Sequence, residues 1–69
     1  MHALLAAVAA LPPRYGHVVT MYHFAGRDCH QIGRALGISH YAVKWRLSEA
    51  RRRLRGKLAE LAEWEQSGN

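Results

Sequence analysis

LGISHYAVKWRLSEARRRLRGKL, residues 36–58, begins as a tight turn and runs on as a long helix. Gly37 suits the turn because glycine takes the left-handed conformation without steric penalty. Ile38 is an apolar plug at the corner, and Ser39 is a helix cap whose hydroxyl can accept from a free amide of the following turn. From His40 onward Val43, Leu47, Ala50, Leu54, Leu58 and Leu61 recur at steps of three and four. That is one apolar seam on a helix predicted over about residues 40–65. Gly56 lies inside it and leaves two readings, one continuous helix at a cost of about 1 kcal/mol relative to alanine, or a break. Opposite the seam, at the same period, Tyr41, Lys44, Trp45, Ser48, Glu49 and Arg52 face outward.

Upstream, Asp28 and Gln31 have the spacing of a capping box, in which each side chain satisfies the other residue's free backbone amide. A short helix follows over 29–36, with Ile32 and Leu36 as its buried edge. Gly33 stands where this helix should cross the next, and a missing side chain there lets two backbones approach closely. Short helix, glycine turn, capped long helix: this is the outline of a helix-turn-helix, whose second helix enters the major groove of DNA.

Nearer the start, Leu4, Leu5, Val8 and Leu11 form an apolar stripe among alanines, predicting a helix over 3–11. Pro12 ends it, since the residue before a proline is pushed out of the α region, and Pro13 suits the first turn of the next helix. That helix, over 13–24, carries Tyr15, Val18, Val19, Tyr22 and Met21 inward and closes at Gly26. The expected fold is all-α: one four-helix domain over residues 1–69, with a C-terminal helix-turn-helix and a long last helix.

Sixty-nine residues make a small core, because a chain of this size buries only about 60% of its unfolded surface. The net charge of +5 is unevenly placed. Residues 44–57 hold Lys44, Arg46, Arg51, Arg52, Arg53, Arg55 and Lys57 against a single acid, Glu49, whereas the end of the chain carries only Glu60, Glu63 and Glu65. Such a basic block on one element is the electrostatic footprint of a phosphate-backbone binder, its bland alternative being a solvated helix face.

The lone Cys29 can form no internal disulfide, which fits a reducing compartment. The apolar opening lacks the basic segment of a secretion signal, and no run reaches the ~20 apolar residues of a membrane span, so the cytoplasm is expected. His17, His23, Cys29, His30 and His40 show no paired metal-ligand spacing. No nucleophile, base and orienting acid can be assembled from the serines, threonine and aspartate present, so neither catalysis, a metal nor a cofactor is expected. Trp64, with Leu58 and Leu61, either packs on the first helix or extends as a partner-binding stub.

The run Ala10-Leu11-Pro12-Pro13-Arg14-Tyr15, then Val18-Val19, Phe24-x-Gly26, Ile32-x-x-x-Leu36-Gly37-Ile38-Ser39 and Val43-Lys44-x-Arg46-Leu47-x-x-Ala50-Arg51 resembles region four of bacterial sigma factors. The likeness is greatest to the extracytoplasmic-function group and spans about residues 4–58 without gaps. It implies a four-helix domain that binds the minus-35 element of double-stranded promoter DNA, docks on the β flap of RNA polymerase and is often masked by an anti-sigma factor. Carried over by position, it places His40, Tyr41, Lys44, Trp45, Ser48 and Glu49 at base edges or phosphates. Arg46 and Arg51, Arg52 and Arg53 lie nearer the backbone, with Arg55 continuing the basic block and Arg14, Arg27 and Arg34 as further phosphate contacts. The chain departs from the pattern at Tyr41-Ala42, which replace a Gly-Thr pair, at Trp45 for a small serine, at Glu49 for a common arginine and at Tyr22 for a basic residue.

Chemically, Glu49 suits a cytosine amino group, and Trp45 or Tyr41 suits a thymine methyl. An exposed Trp and Tyr one turn apart also make a protein hot spot. Two alternatives therefore stand beside promoter reading: a sigma-like module that docks an anti-sigma or activator protein, and a small dimeric helix-turn-helix repressor. A monomer is favoured. The resemblance includes nothing that would melt a minus-10 element, so the chain is expected to be a fragment of a longer protein or a regulator acting with polymerase.

Overall fold

In the computed structural model the described backbone covers residues 2–67 and the described side chains residues 3–59. The fold is all-α, with α1 (His2–Ala10), α2 (Pro13–Val19) continuing into a π-helical end (Thr20–Phe24), α3 (Cys29–Leu36) and α4 (His40–Ser67). The spine is α4, against which α1, α2 and α3 all pack. It passes through Gly56 without a break. Leu61 and Trp64 lie outside the described side chains.

The core reads directly off the seam. Val43, Leu47, Ala50 and Leu54 of α4 are buried against Ala7, Tyr15, Val18, Val19 and Ile32, with Val8, Leu11, Met21, Leu36, Ile38 and Leu58 packed around them. Val18, Ile32 and Val43 are wholly enclosed, each side chain gaining about 1.5–3 kcal/mol from burial. Among the described residues no polar or charged side chain is buried.

Two expected core positions move. On α1 the buried residue is Ala7, while Leu5 is 48% exposed. The inward stripe is Leu4, Ala7, Val8 and Leu11, and an alanine at the α1–α4 contact lets those helices come close. Tyr22, expected inward, is 36% exposed, and Phe24 also stands out. The cause is the π-helical end of α2. Thr20 Oγ1 donates to the Gly16 carbonyl at 2.8 Å, and the Ala25 amide reaches back five residues to the Thr20 carbonyl at 3.0 Å. A π turn takes in one more residue than an α turn, which rotates everything after it off the α-helical phase. Met21 keeps its place against the core, Tyr22 loses it, and Arg27 N–H closes the wide turn on the Met21 carbonyl at 2.9 Å.

Candidate nucleic-acid interface

The turn that aims α4 is held at both ends by local hydrogen bonds. Asp28 accepts from the Gln31 amide at 2.8 Å while the Asp28 amide donates to Gln31 Oε1 at 2.9 Å, completing the capping box at the start of α3. Gly37 ends α3 in the left-handed conformation (φ 71°, ψ 32°), and the Ile38 amide donates to the Gly33 carbonyl at 2.9 Å. Gly33 is pressed on the turn itself rather than on the body of α4. A Cβ there would stand 2.6 Å from the Ile38 carbonyl oxygen and 3.4 Å from the His40 nitrogen. Ser39 Oγ then accepts from the Ala42 amide at 3.1 Å, starting α4. The sequence signals for this module all become contacts, and the angle between α3 and α4 is set by backbone lying on backbone.

The first turns of α4 present the expected row. Tyr41 is 70% exposed and Trp45 64% exposed, one turn apart, with Lys44 and Ser48 exposed beside them. The Lys44 ammonium lies 5.9 Å from the Tyr41 ring centre. His40 is half-buried, stacked on His30 of α3 at 4.1 Å and tilted against the Tyr41 ring at 4.0 Å. This aromatic stack ties the start of α3 to the start of α4. It also holds the His40 imidazole below its usual range: lost solvation is the first cause, followed by the charges of His30 and Lys44. His30 entered the sequence reading only as a ligand candidate. Its pairing with His40 arises because the helix crossing brings together the second residue of α3 and the first of α4.

The basic block, continuous in sequence, fans out in space. Arg51 lies 5.9 Å from the Tyr22 ring on the α2 side. Arg53 lies 4.6 Å from the ring of the buried Tyr15, which Arg14 also approaches at 5.3 Å. Arg46 is half-buried, lining with Arg14, Tyr15, Ala42 and Trp45 an open cleft of about 220 Å³. Arg55 is exposed farther along α4, Arg34 is exposed on α3 and Arg27 on the loop before it. Thus the structure gathers His40, Tyr41, Lys44, Trp45 and Ser48 at one end of α4 and spreads the arginines around its circumference.

Glu49 is the exception to the open outer face. Its carboxylate accepts from Arg52 Nη2 at 2.6 Å, Arg52 Nε at 3.1 Å and Arg53 Nε at 3.3 Å. Its side chain is only 16% exposed. The hydrogen bond from Arg52 is the main reason the carboxyl is held below its ordinary range; the charges of Arg52 and Arg53 and the Arg53 bond add to it, and partial burial opposes it. Among the described residues no three His, Cys, Asp or Glu side chains lie close enough to hold a metal ion, and no helix is long and apolar enough to cross a membrane.

A short helix, a glycine turn and a capped long helix bearing exposed aromatic and basic side chains make a helix-turn-helix domain. The chain belongs to the family described as Sigma-70, region 4, whose model matches residues 7–56, from the buried Ala7 of α1 to Gly56 in α4. This is a DNA-binding regulatory family rather than an enzyme family. Searches of curated proteins and of solved structures gave no match.

Proposed function

We propose that this chain is the minus-35-reading domain of a sigma factor of the extracytoplasmic-function kind, acting in the cytoplasm as a monomeric domain with RNA polymerase through the β flap. The observation that carries the reading is the exposed row Tyr41, Lys44, Trp45 and Ser48 on the capped first turns of α4. In the major groove such a row meets base edges first, Trp45 and Tyr41 against thymine methyls, Lys44 against guanine acceptors or a phosphate, and Ser48 against any polar edge. His40, at the start of the same helix, is a further candidate for a phosphate or base contact. The salt-dependent, sequence-independent part of the affinity falls to those of Arg27, Arg34, Arg46, Arg51, Arg52, Arg53 and Arg55 that stand on the face meeting DNA.

Selection from a pool of randomised duplexes tests this. The chain should enrich one short sequence, and Trp45→Ala should lose preference at one position, a discrimination of about 1–3 kcal/mol for a good base contact. If no sequence is enriched over the starting pool at moderate salt, base reading by α4 is refuted. The large exposure of Tyr41 and Trp45 also favours a second reading, docking of an anti-sigma or activator protein on the same face. In that case Trp45→Ala abolishes capture by the protein partner and leaves duplex binding unchanged. A stable homodimer on a palindromic site would favour a repressor instead.

A further inference from the structure

We infer that Glu49 is a positioning residue that restrains Arg52 and Arg53 and so sets how much phosphate-directed charge the recognition helix presents, rather than a reader of a base. The inference rests on the DNA-binding reading above. Glu49 precedes its partners by three and four residues, the spacings at which helical side chains meet. Arg52 grips both carboxylate oxygens, Nη2 on Oε1 and Nε on Oε2, and Arg53 adds a second donor to Oε1. A cytosine amino group would have to compete with two guanidinium groups that already bond both carboxylate oxygens and neutralise their charge. The carboxylate is also withdrawn: its side chain is 16% exposed, against 69% for Arg52 and 42% for Arg53. What a duplex meets at this point of α4 is therefore the backs of two arginines already engaged.

The clamp also reaches across helices. Arg53 lies over the Tyr15 ring while bonded to Glu49, and Arg14 approaches the same ring. Glu49 thus helps hold Arg53 against the Tyr15 ring of α2. Ion pairs at helical spacing near the surface add little to folding, so Glu49→Gln should leave the fold intact and its effect on binding can be measured. With Glu49 in place, two arginines present one net positive charge; without it they present two and are free to follow phosphates.

The test is fluorescence anisotropy of the full chain with a labelled random-sequence duplex, titrated between roughly 50 and 200 mM salt. Glu49→Gln should bind more tightly at the low-salt end and steepen the slope of log K against log salt by about 0.9 for each arginine released to a phosphate. A role confined to helix stability would leave that slope untouched. In a chain carrying Arg52→Gln and Arg53→Gln, Glu49→Gln removes only its own charge and should steepen the slope clearly less than in the wild-type background. An equal change in slope in both backgrounds would mean a simple through-space charge effect and would overturn the inference. So would a Glu49→Gln chain that binds random duplex like the wild type but loses preference for cytosine at one position of a selected sequence, because Glu49 would then be reading a base. If the wild type binds with normal salt dependence and the Glu49→Gln slope is unchanged, only the inference about Glu49 fails. If the wild type shows no salt-dependent binding to duplex, both this inference and the DNA reading fail.

Discussion

The same substitution, glycine to alanine, should have opposite signs at Gly33 and Gly56. At Gly56, inside α4, an added Cβ meets nothing within 4 Å, and glycine costs a helix interior about 0.8–1 kcal/mol relative to alanine. Gly56→Ala should therefore stabilise by that amount, raising Tm by about 4–8 °C in a domain of this size. At Gly33 alanine gains the same propensity, but its Cβ would stand 2.6 Å from the Ile38 carbonyl oxygen. Because that neighbour is backbone, no rotamer relieves the contact. The turn must retreat, and the Ile38 amide that closes it on the Gly33 carbonyl at 2.9 Å retreats too. Overpacking of this kind costs about 1–3 kcal/mol, and weakening the hydrogen bond about 1 kcal/mol more. After the propensity gain, Gly33→Ala should be about 1–3 kcal/mol less stable than the wild type. Denaturant unfolding followed by circular dichroism measures both variants. A Gly33→Ala chain as stable as the wild type would refute the backbone-on-backbone crossing that aims α4, and a Gly56→Ala chain that is destabilised would refute a continuous helix.

Ile32 is wholly enclosed at the centre of the core, so Ile32→Ala should cost about 2–5 kcal/mol and Ile32→Val only about 0.5–1.5, compared by their urea midpoints. Asp28→Ala removes half of the capping box and should cost about 0.5–2 kcal/mol, with less than additive loss when combined with Gln31→Ala, in a double-mutant unfolding cycle. His40 is held below its ordinary value of about 6.5, so the unfolded chain takes up its proton first as the pH falls. Its contribution to stability is therefore full above that value, declines as the pH drops through it, and levels off below the folded value; His40→Gln should flatten this limb in unfolding curves between roughly pH 7 and 5. Glu49 works at lower pH and with the ordinary carboxylate sign: its clamp contributes above the unfolded carboxyl value and is lost as the pH falls through the depressed folded one, a loss absent from Glu49→Gln.

Local chemistry was legible in the residues. Pro12-Pro13, Asp28 with Gln31, Gly37 and Ser39 each act on amides within a few positions of themselves, so four helices, the turn and the seam from Val43 to Leu54 could be written down before any coordinates. The exposed row was legible for the same reason, since α-helical period alone puts Tyr41, Lys44, Trp45 and Ser48 opposite that seam. Glu49 was the instructive exception. Its spacing to Arg52 and Arg53 is local, but nothing in the period says whether a carboxylate on an outer face turns to solvent or to its neighbours.

Tertiary structure alone decided the rest. The π-helical end of α2 broke the period that predicted an inward Tyr22, because the i to i−5 bond from Ala25 to Thr20 shifts the phase of the residues it encloses. The stack of His30 on His40, the placing of Arg53 over Tyr15, and the division of one basic run into separate directions all join residues on different helices. Sequence period sets the face of a helix on which a side chain stands. Only the packing of one helix on another sets what that face meets.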